Sequence, residues 1–269
     1  MCEVLGVSKS GYYAWKGRTK SRTKRRHEEL SILVEHEFQI SNGLYGSPKI
    51  TKELEKKGII TTQKTVSTIM KERALKSRTV RKYKATTNSN HDLRVYDNLL
   101  NQNFRIKEIG KVWVSDITYI RTEEGWLYLA TVMDLCSRRI IGFDMSERMT
   151  KELVKTALKR AILAGTMQDG LIHHSDRGSQ YCAKDYQSIL NEYKITPSMS
   201  RKGNCYDNAS IEAFHSLIKR ELIHLRKYET RAQAQAEIFE YIVRWYNSRR
   251  SHSALNYLSP LQFESSFLC

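Results

Sequence analysis

The sequence predicts an α/β protein: a layered domain of order βββαβαβα, preceded by a small all-α region. Three observations predict it. Runs rich in β-branched and aromatic residues at 112–120, 126–134 and 139–145 are joined by short turns, as in an antiparallel meander. Strand and helix patterns then alternate from residue 150 to the 220s. Ahead of residue 79, apolar residues recur at helical spacing instead, as in Leu30, Leu33, Val34 and Phe38.

Length and charge bound the function. A chain of 269 residues with 40% hydrophobic content can bury one substantial core plus smaller modules. The net charge of +16 points to a polyanionic partner, above all nucleic acid. Residues 1–100 hold 21 Lys and Arg against 10 Asp and Glu, a net of +11, so the excess clusters in the first third. The five cysteines (Cys2, Cys136, Cys182, Cys205, Cys269) form no CxxC pair, which argues for reduced thiols over a disulfide frame or zinc site. No apolar run reaches signal-peptide or membrane-spanning length, so a cytoplasmic, bacterial, nucleoid-associated protein is expected.

Five segments follow in order. Residues 1–27 form a basic N-terminal segment, of which 1–17 read equally as the end of a helix-turn-helix or as a loose terminus. Residues 28–78 are expected as a helix-turn-helix DNA-binding region. Ile50 and Leu54 mark a short helix ending at Gly58, and Thr61 or Thr62 caps a second carrying Val66, Ile69 and Met70. Lys64, Lys71 and Arg73 decorate its outer side. An ordinary helical hairpin is the competing reading, and the positive charge favours DNA. Residues 79–108 lose periodicity and read as a linker. Residues 109–228 carry the α/β domain: the meander, a helix capped by Thr150, a strand at 170–174, a helix at 183–193, a strand at 195–198 and a helix from about 207. Residues 229–269 form a C-terminal helix and tail, with Arg249 and Arg250 as further DNA candidates beside a packing role for the helix.

Three acids stand out. Asp116 lies inside an apolar strand pattern, where a carboxylate is unexpected. Asp176 ends another short apolar run, and 35 residues separate it from Glu212 on the last helix. At about 100° per residue, Asn208, Glu212, His215, Ser216 and Lys219 share one polar face of that helix, beside an apolar face of Ile211, Phe214, Ile218, Leu222 and Leu225. Converging carboxylates repel one another unless cations neutralise them, and their hard oxygens suit Mg²⁺ or Mn²⁺. A pair of such ions would activate an attacking oxygen and stabilise a leaving one in a phosphodiester displacement.

The acids do not stand alone. Trp-x-x-Asp-x-Thr-Tyr (113–119), His-Ser-Asp-Arg-Gly-Ser-Gln-Tyr (174–181), Gly-Asn-Cys-Tyr-Asp-Asn-Ala-x-x-Glu (203–212), Lys219 and Tyr-Asn-x-x-Arg-x-His-x-x-Leu (246–255) occur in order. The set resembles the DDE transposase encoded by the second reading frame of a large two-frame insertion-sequence family, with a core like that of retroviral integrases. The resemblance spans nearly the whole chain. It implies a ribonuclease-H-like catalytic domain with Asp116, Asp176 and Glu212 as catalytic residues and ligands of two Mg²⁺ or Mn²⁺ ions. It further implies cleavage and strand transfer on double-stranded DNA at element ends and target, at least two protomers on that DNA, and an upstream-frame helix-turn-helix protein fused by frameshifting. A zinc-binding domain like that of retroviral integrases is not expected, since His27 and His36 have no following Cys pair. A non-catalytic DNA-binding regulator is the alternative from another class, and a ribonuclease acting on RNA–DNA hybrids is a third.

Lesser candidates have plainer readings. His173 and His174 suit structural hydrogen bonding better than metal ligation. Asp134 suits turn closure. Gly178 and Gln180 shape the loop after Asp176, and Asn204 and Asn208 lead the Glu212 helix. Arg201, Lys202 and Lys219 are expected to meet DNA, with a solvated face as the competing reading for each.

Overall fold

The computed structural model describes residues 2–78, 93–202 and 204–267, and the chain divides into two compact units, 1–78 and 79–269. Residues 79–92 of the expected linker and Gly203 lie outside the described residues.

The first unit is all helix: α1 (Lys9–Lys16), α2 (Arg22–Ile40), α3 (Ser47–Lys56) and α4 (Gln63–Glu72). Residues 1–17 thus contain a helix, α1, none of whose residues is buried. α2 starts at Arg22, capped by Ser21, so it absorbs basic residues that the pattern had set apart before residue 28. Lys and Arg are good helix formers, and nothing in that run stops the helix. Leu30 and Val34 of α2 bury against Ile50 and Leu54 of α3 and Val66 and Ile69 of α4. Gly58 takes φ +76° between α3 and α4, a conformation open to glycine at little cost. Thr62 then caps α4, its hydroxyl accepting from Thr65 N at 3.2 Å. These are the two short helices and turn of a helix-turn-helix.

The second unit is built on one five-stranded sheet. Its elements are β1 (Val112–Thr122), β2 (Gly125–Asp134), β3 (Ile140–Ser146), α5 (Lys151–Leu163), β4 (Ile172–Ser175), α6 (Ser179–Cys182), α7 (Lys184–Glu192), β5 (Thr196–Met199), α8 (Ala209–Glu221), α9 (Arg231–Glu240) and α10 (Pro260–Ser265). The strand order is β3-β2-β1-β4-β5. β1, β2 and β3 form the expected antiparallel meander, while β4 and β5 run parallel to β1. Two elements in this succession are unexpected: α6, a one-turn helix three residues after Asp176, and α10 within the expected tail.

Helices cover both faces, as a partly parallel sheet demands. On one, α5 and α7 bury Leu153, Val154, Leu158, Tyr186 and Leu190 over Trp113, Ala130 and Val132. Gly142 of β3 makes the close approach of α5 possible: a Cβ there would meet the Ala157 carbonyl oxygen at 2.3 Å. On the other, α8 and α9 bury Ile211, Phe214, Ile218 and Ile238 over Val112, Val114, Leu127 and Leu129. α9 runs on into a π-helical turn (Tyr241–Tyr246), which brings Ile242 and Tyr246 onto the same core.

Two expectations change here. Leu100 is buried in this second core and Phe104 and Ile106 pack against it, so the last part of 79–108 is sheet covering and not linker. Arg250, a DNA candidate, is buried and ion-paired with Glu221, Nη2 to Oε1 at 2.7 Å; Arg249 remains exposed.

Candidate active site

Strand register sets the first two acids side by side. Ser115 of β1 pairs with Ser175 of β4 in the parallel ladder, and an aspartate follows each. Asp116 therefore continues along β1 directly after the last paired residue, while Asp176 leaves the end of β4 at the same level of the ladder. β4 ends at Ser175, and the loop beyond turns on Asp176 itself: its Oδ1 accepts the Gly178 N–H at 2.9 Å. Gln180 secures this loop by donating to the Met149 carbonyl at 3.2 Å.

The two histidines before Asp176 are structural, as expected. Ser115 Oγ and Tyr186 OH lie 2.8 and 3.0 Å from His173 Nε2. His174 meets Ser198 and Ser200 at 2.9 and 3.2 Å. Burial pushes them down to about 3 and about 4, so both are neutral supports. Asp134 closes its turn, accepting from Gly110 N at 2.7 Å and Ser137 N at 2.8 Å.

Helix α8 carries the third acid over β1. Asn204 starts the preceding turn by accepting from Tyr206 N at 3.0 Å, and Asn208 Nδ2 donates to the Ser115 carbonyl at 3.1 Å. The Asn208–Lys219 stripe is as grouped in the sequence, but Asn208, His215 and Lys219 are buried, and Glu212 and Ser216 half-buried. His215 is 6% exposed and Lys219 only 4%, because this stripe leans on β1 while Ile211, Phe214 and Ile218 fill the neighbouring core. His215 is the site residue whose part the sequence did not reveal. Its Nδ1 lies 3.2 Å from Asp116 Oδ2 and its Nε2 lies 2.9 Å from Thr131 Oγ1. The only clue available beforehand is its position three residues after Glu212, on the same face.

The acids share one electrostatic field. Burial and the nearby Asp116 charge push Asp176 up to about 7, with Glu212 adding to the rise and the Gly178 N–H opposing it. Glu212 is also raised, by burial first and then by Asp116. Burial lowers Lys219 to about 8 against the pull of Asp116, and its ammonium sits 4.5 Å over the Tyr119 ring. Mutual repulsion of this kind is what a bound cation relieves, and the donors are all hard oxygens, so the residues fit a divalent ion in chemistry. Among the described residues, no three His, Cys, Asp or Glu side chains are drawn together tightly enough to enclose one ion.

The expected DNA contacts divide. Lys64 and Lys71 are exposed on α4, and Lys202 is exposed ahead of α8. Arg73 reaches back to Glu35 at 3.1 Å. Arg201 is committed to Asp207, through Nη2 at 2.7 Å and Nε at 3.0 Å, because that buried carboxylate needs a cation. Lys219, expected to meet DNA with a solvated face as the competing reading, is a buried side chain.

Comparison with known proteins agrees with this geometry. Residues 107–205 and 193–260 each match an integrase core domain, and residues 25–83 match an HTH-like domain. The chain is 44% identical over 267 residues to the insertion element IS600 uncharacterized 31 kDa protein of Shigella sonnei, covering 99% of this chain and 98% of that one. It is 42% identical over 269 residues to the transposase InsF for insertion sequence IS3A of Escherichia coli K12, covering 98% and 93%. The chain belongs to the insertion-sequence transposases. Its catalytic region has the integrase-type, ribonuclease-H-like fold, and a helix-turn-helix unit precedes it. The fold is shared with a chain of a simian T-cell lymphotropic virus intasome solved with the PP2A regulatory subunit B56 gamma, at a TM-score of 0.51 and 13% identity over 86% of this chain and 73% of that one. The transposase acts on DNA in transposition, and the regulator reading is not favoured by these relatives. No helix among the described residues is long and apolar enough to cross a membrane.

Proposed function

We propose that this transposase cuts and joins DNA phosphodiesters with Asp116, Asp176 and Glu212 as its catalytic acids. The observation that carries the reading is the register that sets Asp116 beside Asp176, with Glu212 within the same field. Bound Mg²⁺ or Mn²⁺, held by these three carboxylates as a pair of ions, would supply the charge that activates an attacking oxygen and steadies a leaving one. The chain's own residues do the rest. β1 would hold Asp116, the loop leaving β4 would hold Asp176, α8 would contribute Glu212, and His215, 3.2 Å from Asp116, would keep that carboxylate in orientation. Water attacks in the cleavage step and a freed 3′-hydroxyl in the joining step, so one set of acids serves both. Lys64 and Lys71, with Arg73 beside them, would meet duplex phosphates from α4, and Lys202 would do so beside the acids. Joining two element ends requires two active sites, so the working species is at least a dimer on DNA. An upstream-frame protein bringing a further helix-turn-helix fits the two-frame family resemblance.

The test compares the native protein with Asp116→Asn and Glu212→Gln on duplexes bearing the cognate element ends, with Mg²⁺ present. Both variants keep DNA binding and thermal stability but lose nicking and strand transfer. Equal cutting by all three proteins would remove the acids from this role.

A further inference from the structure

Beyond Lys219, at the far end of the acid-bearing helix, the transposase has a cavity of about 470 Å³. One wall is the end of β1 with the start of β2, and the other is the segment after α8. The two walls are tied by a hydrogen bond from Glu123 N to the Tyr228 carbonyl at 3.0 Å.

Its lining is unusual for a solvated surface. Trp126 stands 41% exposed, with the Tyr119 ring edge-on to it at 5.2 Å. The Arg121 guanidinium lies 5.2 Å over the Trp126 ring, and Lys219 lies over Tyr119. Arg226 and Lys227 stand on the opposite wall, so Glu123 is the one carboxylate among four Lys and Arg of the lining. Arg226 is partly neutralised by Glu237 at 3.1 Å, while Arg121 and Lys227 are exposed.

An accessible aromatic wall beside cations, in a space of nucleotide size, suits an unstacked base and its phosphate. A duplex cannot present a base this way, because its bases are stacked inside. We propose that this cavity receives one unstacked nucleotide of a single DNA strand running past the acids, its base on the Tyr119–Trp126 wall and its phosphate at Arg121 and Lys227. The inference rests on the reading of the acids as the DNA-processing centre, and it adds a binding subsite that those acids do not form. Strand separation next to the site of cutting thereby gains a receptor in the protein.

The test uses photocrosslinking and binding without metal, in the Asp116→Asn background, so that failure of the acid assignment cannot affect it. The probe is a duplex with a single-stranded 3′ tail carrying one 5-iododeoxyuridine, placed either in the tail or in the paired region. The tail probe should crosslink to the peptide holding Tyr119 and Trp126, and the paired probe should not. Trp126→Ala should weaken binding of the tailed duplex by about 5- to 100-fold while leaving blunt duplex binding unchanged. Trp126→Phe, which keeps a stacking face, should restore most of the loss, and Phe239→Ala, at an exposed aromatic elsewhere, should have no effect. Tailed binding by Trp126→Ala at native strength, or a crosslink confined to peptides outside the cavity, overturns the proposal. Continued nicking by Asp116→Asn once Mg²⁺ is added, with tail binding intact, would instead count against the acid assignment alone.

Discussion

His215 links Asp116 to Thr131: its two ring nitrogens lie 3.2 Å from the carboxylate and 2.9 Å from the hydroxyl. Asp116 and Thr131 are themselves cross-strand partners in the β1–β2 ladder, so the imidazole bridges a pair the sheet has already aligned. Groups that orient a metal-binding carboxylate typically matter 10–100-fold in metal affinity or activity. His215→Ala is expected to lower strand cleavage by about that factor and to raise the Mg²⁺ concentration giving half-maximal rate. His215→Gln, which can still hydrogen-bond, should recover part of both. A change in melting temperature without a change in Mg²⁺ dependence would reduce His215 to a packing residue.

Glu221 and Arg250 join the end of α8 to the C-terminal segment through Nη2–Oε1 at 2.7 Å and Nε–Oε2 at 2.9 Å, with both side chains nearly buried. Removing one partner strands the other charge away from water. Arg250→Ala should therefore cost about 3–5 kcal/mol in urea unfolding. The double change Glu221→Met with Arg250→Met should recover a substantial part, since no charge is then left unpaired.

Asp207 gives the fold a pH dependence with a definite sign. Its carboxylate accepts from Arg201 and from Gln102, and the Arg201 side-chain bonds hold it far below the usual carboxylate range. A folded value below the unfolded one, about 3.9, means the stabilisation is complete above that pH and is lost as pH falls beneath it. Asp207→Asn should lower the urea midpoint at pH 7, and its deficit relative to the native protein should shrink by pH 3. A deficit that stays constant across that range would contradict the pairing.

The first unit makes a prediction about salt. Lys64 and Lys71 are exposed on α4 and are expected to sit at phosphates, so each Ala variant should reduce the slope of log affinity against log salt by about 1. Thr62→Ala, which removes the α4 cap, should instead destabilise that unit by about 1 kcal/mol, measured by thermal unfolding.

Much of this architecture is legible in the residues. A carboxylate inside an apolar β-branched run marks β1, and alternating periods give the element order through α8. The angular grouping of Asn208, Glu212, His215 and Lys219 is readable too. What is not readable is which faces are covered: α8 leans on β1 along its polar stripe as well, so Asn208, His215 and Lys219 are buried while Glu212 and Ser216 stay half-exposed. Leu100, Phe104 and Ile106 escape notice because isolated apolar residues in a polar stretch carry no period. α6 is too short to show one. Register leaves no local mark at all, since it depends on which strand zips against which.

That register has a consequence for how the chain matures. Side chains alternate across a strand, so a slip of β4 by a single residue against β1 would send Asp176 to the opposite side of the sheet and drag His173 out of its pocket. The alignment of 112–115 with 172–175 thus ties two outcomes together: a chain threaded out of register would forfeit its buried interior and the pairing of its aspartates in the same stroke.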